Sequence, residues 1–277
     1  MTRPRKERSS GGFRGRQPWR TCELRPQPFS RSSSSQGRGQ WSRAFFTLAG
    51  ARVSHIFVTH RHLDHSPAAR PLAAATGAKI YASGIAPRVS ADDFVAEAGD
   101  DLGFKPDIVV KDGDTFTGAG WTLEAVLTPG HTSDHMCLAL REENALFSGD
   151  HVMGWSTTVV SPPDGDMEAY LASLDNVRGR GFTTLWPTHG PPIPAVAPFL
   201  DAYKAHRLDR EAQILAQLRA GKTHIMDMVP VMYAGVDQRL YRAAAHSVLA
   251  HLILLVRRGR VRCDGAPSIA SAYALIR

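Results

Sequence analysis

Residues 59–65, Thr59-His60-Arg61-His62-Leu63-Asp64-His65, crowd four metal-ligand side chains into one short segment. In extended chain, residues two apart point to the same side, so His60 and His62 can grip one ion together while Asp64 and His65 face a neighbouring position. Imidazole and carboxylate are ligand types suited to zinc, and also to manganese or iron. The plain alternative is a His-rich surface loop that holds no metal. Three more ligand-type residues follow, each at an expected strand end. His131 lies in TPGHTSDH at 128–135, Asp150 closes FSGD at 147–150, and His189 stands in WPTHG at 186–190. Singly each would be an ordinary loop residue; their order and company make the set strong.

The elements that must position these residues can be read from apolar patterning. Residues 53–59 (VSHIFVT) form a buried strand running straight into the His-rich loop, 66–75 an Ala-rich helix, and 79–82 a short strand. Residues 121–127 alternate as a strand and end at the turn Thr128-Pro129-Gly130. Further strands are expected at 136–140, 145–148 and 183–187, with a helix over 167–177. Ligand-type residues at the ends of strands are loop residues held by a rigid scaffold, a common enzyme design. Beyond Gly190-Pro191-Pro192 the pattern becomes helical over 195–220, 223–234 and 240–258, and 261–263 opens a small hairpin. Three helices and a hairpin predict a winged-helix-like module.

The net charge of +7 is unevenly spread. Residues 1–43 carry +9 and the rest of the chain −2, so the basicity belongs to the tail. That segment, with 27 Arg, Ser, Gly or Pro and no apolar periodicity, reads as disordered. It is a solvated basic tail, a transit peptide, or the product of a frameshift or wrong start. The expected organisation is a tail at 1–43, a hydrolase domain at 44–194 and a winged-helix-like domain at 195–277. Cys22, Cys137 and Cys263 stand far apart, which argues against a disulfide framework or a cysteine zinc cluster. No run of about 20 apolar residues suggests a membrane span, and no apolar leader suggests export. A cytoplasmic setting fits best, and a homodimer is left open.

With its ligand motifs in this order, the chain resembles the metallo-β-lactamase superfamily over about residues 53–194. The resemblance implies an α+β fold, an αββα sandwich with the site along one edge of the two sheets. It implies that His60, His62 and His131 hold one zinc, that Asp64, His65 and His189 hold a second, and that Asp150 bridges them. TPGHTSDH, ALFSGDHVMG at 145–154 and the helical tail look most like the β-lactamase-like protein 2 group, which carries a C-terminal winged-helix-type domain and includes single-strand-specific endoribonucleases.

The chemistry of such a set is hydrolysis. Two metals can share a hydroxide, because bound water loses its proton near pH ~7 instead of ~15.7. That nucleophile attacks a carbonyl carbon or a phosphorus, so the substrate is an ester, thioester or phosphodiester. In such a centre Asp150 would hold both ions, and Asp64 would orient the nucleophile and pass a proton to the leaving group. Asp134, His135 and His151 read as supporting residues; His55, His206, His224, His246 and His251 have no ligand spacing. The family's usual first strands are expected within residues 1–50, where nothing resembling them is found, so they read as missing or replaced. Two other readings stand beside the hydrolase, which itself spans a small-molecule esterase or thioesterase and a single-stranded RNA nuclease. One is a nucleic-acid-binding module with catalysis lost, the other a truncated, inactive product.

Overall fold

The computed structural model describes residues 53–88 and 99–276. The basic tail, and whether it replaces the first strands, lie outside these residues. Strand β1 (His55–Phe57) pairs in parallel with β2 (Lys79–Ala82), and β2 in parallel with β3 (Ile108–Val109). A parallel pair needs a crossover, and helix α1 (Ala69–Thr76) supplies it between β1 and β2. Gly77 ends α1 with a φ of 75°, its N–H returning to the Ala73 carbonyl, the left-handed stop that glycine makes without strain.

A second, five-stranded sheet follows. In it β4 (Thr115–Gly118), β5 (Trp121–Leu127), β6 (Met136–Leu140) and β7 (Ala145–Gly149) run antiparallel to their neighbours. Strand β8 (Thr184–Pro187) pairs in parallel with β7 after helix α2 (Met167–Gly179). The Asp166 side chain caps α2 by accepting from the Glu168 and Ala169 amides. The two sheets face each other through side chains. Phe57 and Tyr81 of the first meet Phe116 of the second at ring separations of 5.0 and 5.1 Å. Val110, Ala125, Met136 and Leu138 are buried beside them. The expected α+β sandwich is present.

Some elements differ from the sequence reading for identifiable reasons. Strand β1 is shorter than 53–59 because its end leaves the first sheet: Val58 N–H still bonds the Tyr81 carbonyl, but the Thr59 carbonyl accepts from Met136 N–H at the start of β6. Thus the strand end that delivers His60 is stitched to both sheets. Strands β3 and β4 carried no usable signal, being two residues long and TFTG respectively.

The C-terminal part contains α3 (Val196–Arg219), α4 (Ile225–Met232), a single turn at Gln238–Leu240, α5 (Tyr241–Arg257) and the antiparallel pair β9 (Val261–Cys263) and β10 (Tyr273–Leu275). Its core joins Ile214 and Leu218 of α3, Met228 and Val229 of α4, Val248, Leu252 and Leu255 of α5, and Val261 and Tyr273 of the hairpin. Helix α4 begins later than 223 because the Thr223 carbonyl accepts from Tyr273 N–H and His224 bridges Ala272, so these residues join the hairpin. Among the described residues, the stretch Gln238–Arg257 is long and apolar enough, by length and composition alone, to cross a membrane. A run-length argument passes over it because Arg242, His246, Ser247 and His251 interrupt the apolar residues. Here it is the central helix of this core, with Ala245, Val248, Leu252 and Leu255 fully buried.

Candidate metal centre

The seven sequence-predicted residues come together at one edge of the sandwich. His60 Nε2 and His62 Nδ1 stand 2.9 Å apart, and His131 Nε2 lies 3.2 Å from His62 Nδ1. Three nitrogens on a tetrahedral zinc, each at ~2.0–2.1 Å, would be separated by about 3.3 Å, so this trio already has the spacing of one face of a coordination sphere. A second group consists of Asp64, His65 and His189, with His65 Nε2 3.5 Å and His189 Nε2 3.3 Å from Asp64 oxygens. Asp150 stands between the two groups. Its Oδ2 is 3.4 Å from His65 and 3.5 Å from His189 on one side, and 3.9 Å from His131 and 4.0 Å from His60 on the other.

The polarity of the surroundings prepares these groups as ligands. His131 Nδ1 lies 2.7 Å from the Val159 carbonyl; a carbonyl only accepts, so the proton sits on Nδ1 and the Nε2 lone pair faces the cluster. Burial pushes the His131 pKa down to about 4, with the neighbouring His62 adding to the effect. Burial, and then the crowd of imidazoles, holds His60 well below its ordinary value. Burial also lowers His62, against the opposing pull of Asp100 and Asp64. Asp150 goes the other way from what its burial alone would give. Its pKa is lowered because the hydrogen bond and charge of His65, the charge of His131 and a bond from the Thr188 hydroxyl outweigh desolvation. Imidazoles lowered in pKa at His60, His62 and His131, beside a carboxylate that is also lowered, form a donor set ready to take a cation.

Several supporting residues were invisible in the sequence. Asp100 faces the far nitrogen of His62, Oδ1 to Nε2 3.8 Å, across an isolated bridge between the two backbones. Nothing in the stretch AGDDLG marks this aspartate. His135, read as supporting, is buried under the site: its Nε2 accepts from the Asp150 amide at 3.1 Å and its Nδ1 lies 2.8 Å from Thr128 Oγ1. Asp134 is buried against Arg61, Oδ2 to Nε 3.0 Å, tying the His60–His62 segment to the His131 loop. His151 is buried without reaching the cluster, and burial lowers its pKa to about 3. His206, His246 and His251 sit in the C-terminal helices, and His55 stacks in the aromatic interface between the sheets. His224 precedes α4.

Comparison with known proteins gives this arrangement its family. The model of the metallo-beta-lactamase superfamily matches residues 37–189. The chain belongs to that superfamily. A beta-lactamase associated winged helix domain matches residues 225–268, within the helices and hairpin described above. The chain is 32% identical over 220 residues to the beta-lactamase-like protein 2 homolog of Caenorhabditis elegans, covering 79% of this chain and 70% of that protein. It is 33% identical over 192 residues to an atrochrysone carboxyl ACP thioesterase of Aspergillus fumigatus, covering 67% of this chain and 55% of that one. In fold it is similar to a beta-lactamase domain protein from Burkholderia ambifaria, with a TM-score of 0.73 and 24% identity, covering 88% of this chain and 80% of the other. As a metallo-β-lactamase-fold hydrolase, the chain uses its C-terminal helices to brace the site. Arg207 of α3, buried at 3% exposure, donates to the Thr158 carbonyl and lies over the Tyr170 ring. The Thr158 hydroxyl in turn bonds the Asp150 carbonyl.

Proposed function

We propose that the chain hydrolyses ester or thioester bonds using two zinc ions, one held by His60, His62 and His131, the other by Asp64, His65 and His189, with Asp150 between them. The observation that carries this reading is the position of Asp150 Oδ2, within 3.4–4.0 Å of imidazoles from both groups. The ions would supply a water acidified to a pKa of about 7 and a positive charge to polarise the scissile carbonyl.

The residues do the rest. The imidazoles of His60, His62 and His131, with pKa values lowered by burial, hold their lone pairs toward the cluster without first losing protons. Asp64, at 43% side-chain exposure the most open of the acids in the set, orients the attacking water and relays a proton to the leaving group. Thr188 and His135 fix the side chain and the amide of Asp150. Manganese or iron would suit the same donors.

A thioester is favoured over a phosphodiester by the charge pattern. In the C-terminal part Arg257 is paired with Asp166, Arg258 faces Glu168 and Glu211, and Arg260 is paired with Glu211. Within the motif, Arg61 is buried on Asp134. Among the described residues these four cations are each opposed by a carboxylate, which lessens their pull on a polyanion. The second reading, a single-strand-specific endoribonuclease, draws on the winged-helix domain and the likeness to the beta-lactamase-like protein 2 homolog. We also infer a cytoplasmic, soluble protein, consistent with a free, buried Cys137. Turnover of a panel of acyl thioesters and of a single-stranded RNA by purified full-length chain separates the readings. Thioester hydrolysis abolished by Asp64→Ala is expected; RNA cleavage abolished by the same change, with thioesters untouched, would replace the proposal by the nuclease.

A further inference from the structure

Trp155 is an aromatic side chain held out beside the metal ligands instead of packed into the core. It is 56% exposed, yet its ring lies parallel to the imidazole of His189, at 6.0 Å between centroids and 21° between planes. An exposed tryptophan is normally free to sample rotamers and would lose entropy on meeting a ligand. Here the backbone on both sides is fixed. Gly154 N–H donates to the His189 carbonyl at 2.8 Å. The two glycines meet backbone to backbone: a Cβ on Gly190 would lie 2.7 Å from Gly154 Cα, and one on Gly154 only 2.8 Å from Pro191 N. From below, the fully buried Tyr203 hydroxyl accepts from Met153 N–H at 3.0 Å and faces the carbonyls of Met153 and Ser156. The residue is thus clamped at 153, 154 and 156 while its ring stays open to solvent. In the His-rich loop, Leu63, between His62 and Asp64 in sequence, is 51% exposed. Two large apolar side chains therefore stand uncovered, each beside a candidate ligand residue, a pattern that marks a binding surface.

The geometry points to Trp155 as the residue that sets acyl-group specificity: its open face stacks on a flat, apolar acyl group, an aryl or conjugated thioester, whose carbonyl then lies at the Asp64–His189 side of the cluster. This rests on the thioesterase reading above. The ring is a ready flat surface whose other side is already backed by His189, and offset stacking on it rewards a planar partner more than a short alkyl one. A nucleobase would also stack, but the basic residue of the motif, Arg61, is turned onto Asp134 and offers no cation for the phosphate that would follow.

The test uses the zinc-loaded full-length chain with naphthoyl and acetyl thioesters of pantetheine, in wild type, Trp155→Ala and Trp155→Phe, together with calorimetric titration of the product naphthoate. Trp155→Ala is expected to raise KM for the naphthoyl thioester about ten-fold and to weaken naphthoate binding about as much. It should leave kcat, metal content and the acetyl substrate unchanged, and Trp155→Phe should recover most of the loss. Equal losses on both thioesters, or an unchanged naphthoyl KM, would overturn the proposal. So would RNA cleavage that falls ten-fold in Trp155→Ala while neither thioester responds. Failure of every thioester to turn over, with naphthoate binding still weakened by Trp155→Ala, would reject the thioesterase reading and keep the stacking surface.

Discussion

Replacing His135 probes how the scaffold supports the candidate metal centre without substituting any of the seven candidate ligands. The imidazole is 1% exposed, and its Nε2 accepts from the Asp150 amide at 3.1 Å. A neutral ring that accepts at Nε2 carries its proton on Nδ1, which then donates to Thr128 Oγ1 at 2.8 Å. The Thr128 hydroxyl continues to Cys137 Sγ at 3.2 Å, and that thiol reaches the Ser148 carbonyl at 3.4 Å. His135→Ala breaks this chain at its first link and leaves the Asp150 N–H buried without an acceptor, a loss of about 1–3 kcal/mol. Deleting a buried side chain of this size adds about 2–5 kcal/mol for the cavity. The sum, roughly 3–8 kcal/mol, is a large part of the stability of an ordinary domain. His135→Gln keeps an acceptor near the amide and should recover most of it. Because Asp150 contacts both ligand groups, its loosened backbone should also lower zinc affinity about 10–100-fold. Urea unfolding in chelator measures the first effect, and competition with a chromophoric chelator measures the second. Wild-type zinc affinity in a destabilised His135→Ala protein would refute the link from His135 through Asp150 to the metal.

Further predictions follow from the same geometry. A methyl at Gly130, where φ is 139°, would overlap the Tyr170 backbone, so Gly130→Ala should cost at least about 1–3 kcal/mol and disturb the adjacent His131. Gly179→Ala, at the end of α2 with open space around it, should be neutral or stabilising in the same urea assay. Burial depresses His151 and His251 to about 3 in the fold, with Arg207 adding to the effect on His251. In the unfolded chain both titrate near ~6.5. The unfolded state then binds more protons, so their contribution is fully present above pH ~6.5 and is lost as pH falls; the two together should cost on the order of 3 kcal/mol between pH 6.5 and 5. His251→Met, which removes a ring with no hydrogen-bond partner among the described residues, should flatten that slope in urea titrations at several pH values. An unchanged slope would contradict the burial argument.

The candidate ligand cluster was legible in the sequence because each member sits within a local pattern: four residues in the His60–His65 loop, and His131, Asp150 and His189 each following an expected strand. Strands 79–82, 121–127 and 136–140 fall where apolar patterning put them. What was not legible is contact made through tertiary pairing. Asp100 meets His62 across a bridge between segments nearly forty residues apart, and Thr188 and the Val159 carbonyl reach ligands only after the loops close. The role of Tyr203 and Arg207 was hidden for a similar reason. Each lies within the helical pattern expected over 195–220, and only the docking of α3 on residues 153–158 turns them into braces. Local chemistry announces a site; the parts that hold it still are set by packing.

The central claim is that two ligand groups share Asp150, and a metal count on variants tests it directly. Purified wild-type chain should hold two zinc ions. His62→Ala should lose the ion held with His60 and His131, His189→Ala the one held with Asp64 and His65, and each variant should retain a single ion. Asp150→Ala should weaken both. A wild-type chain that binds one zinc or none, or a His62→Ala protein that loses both ions while His189→Ala keeps two, would contradict the shared dinuclear centre.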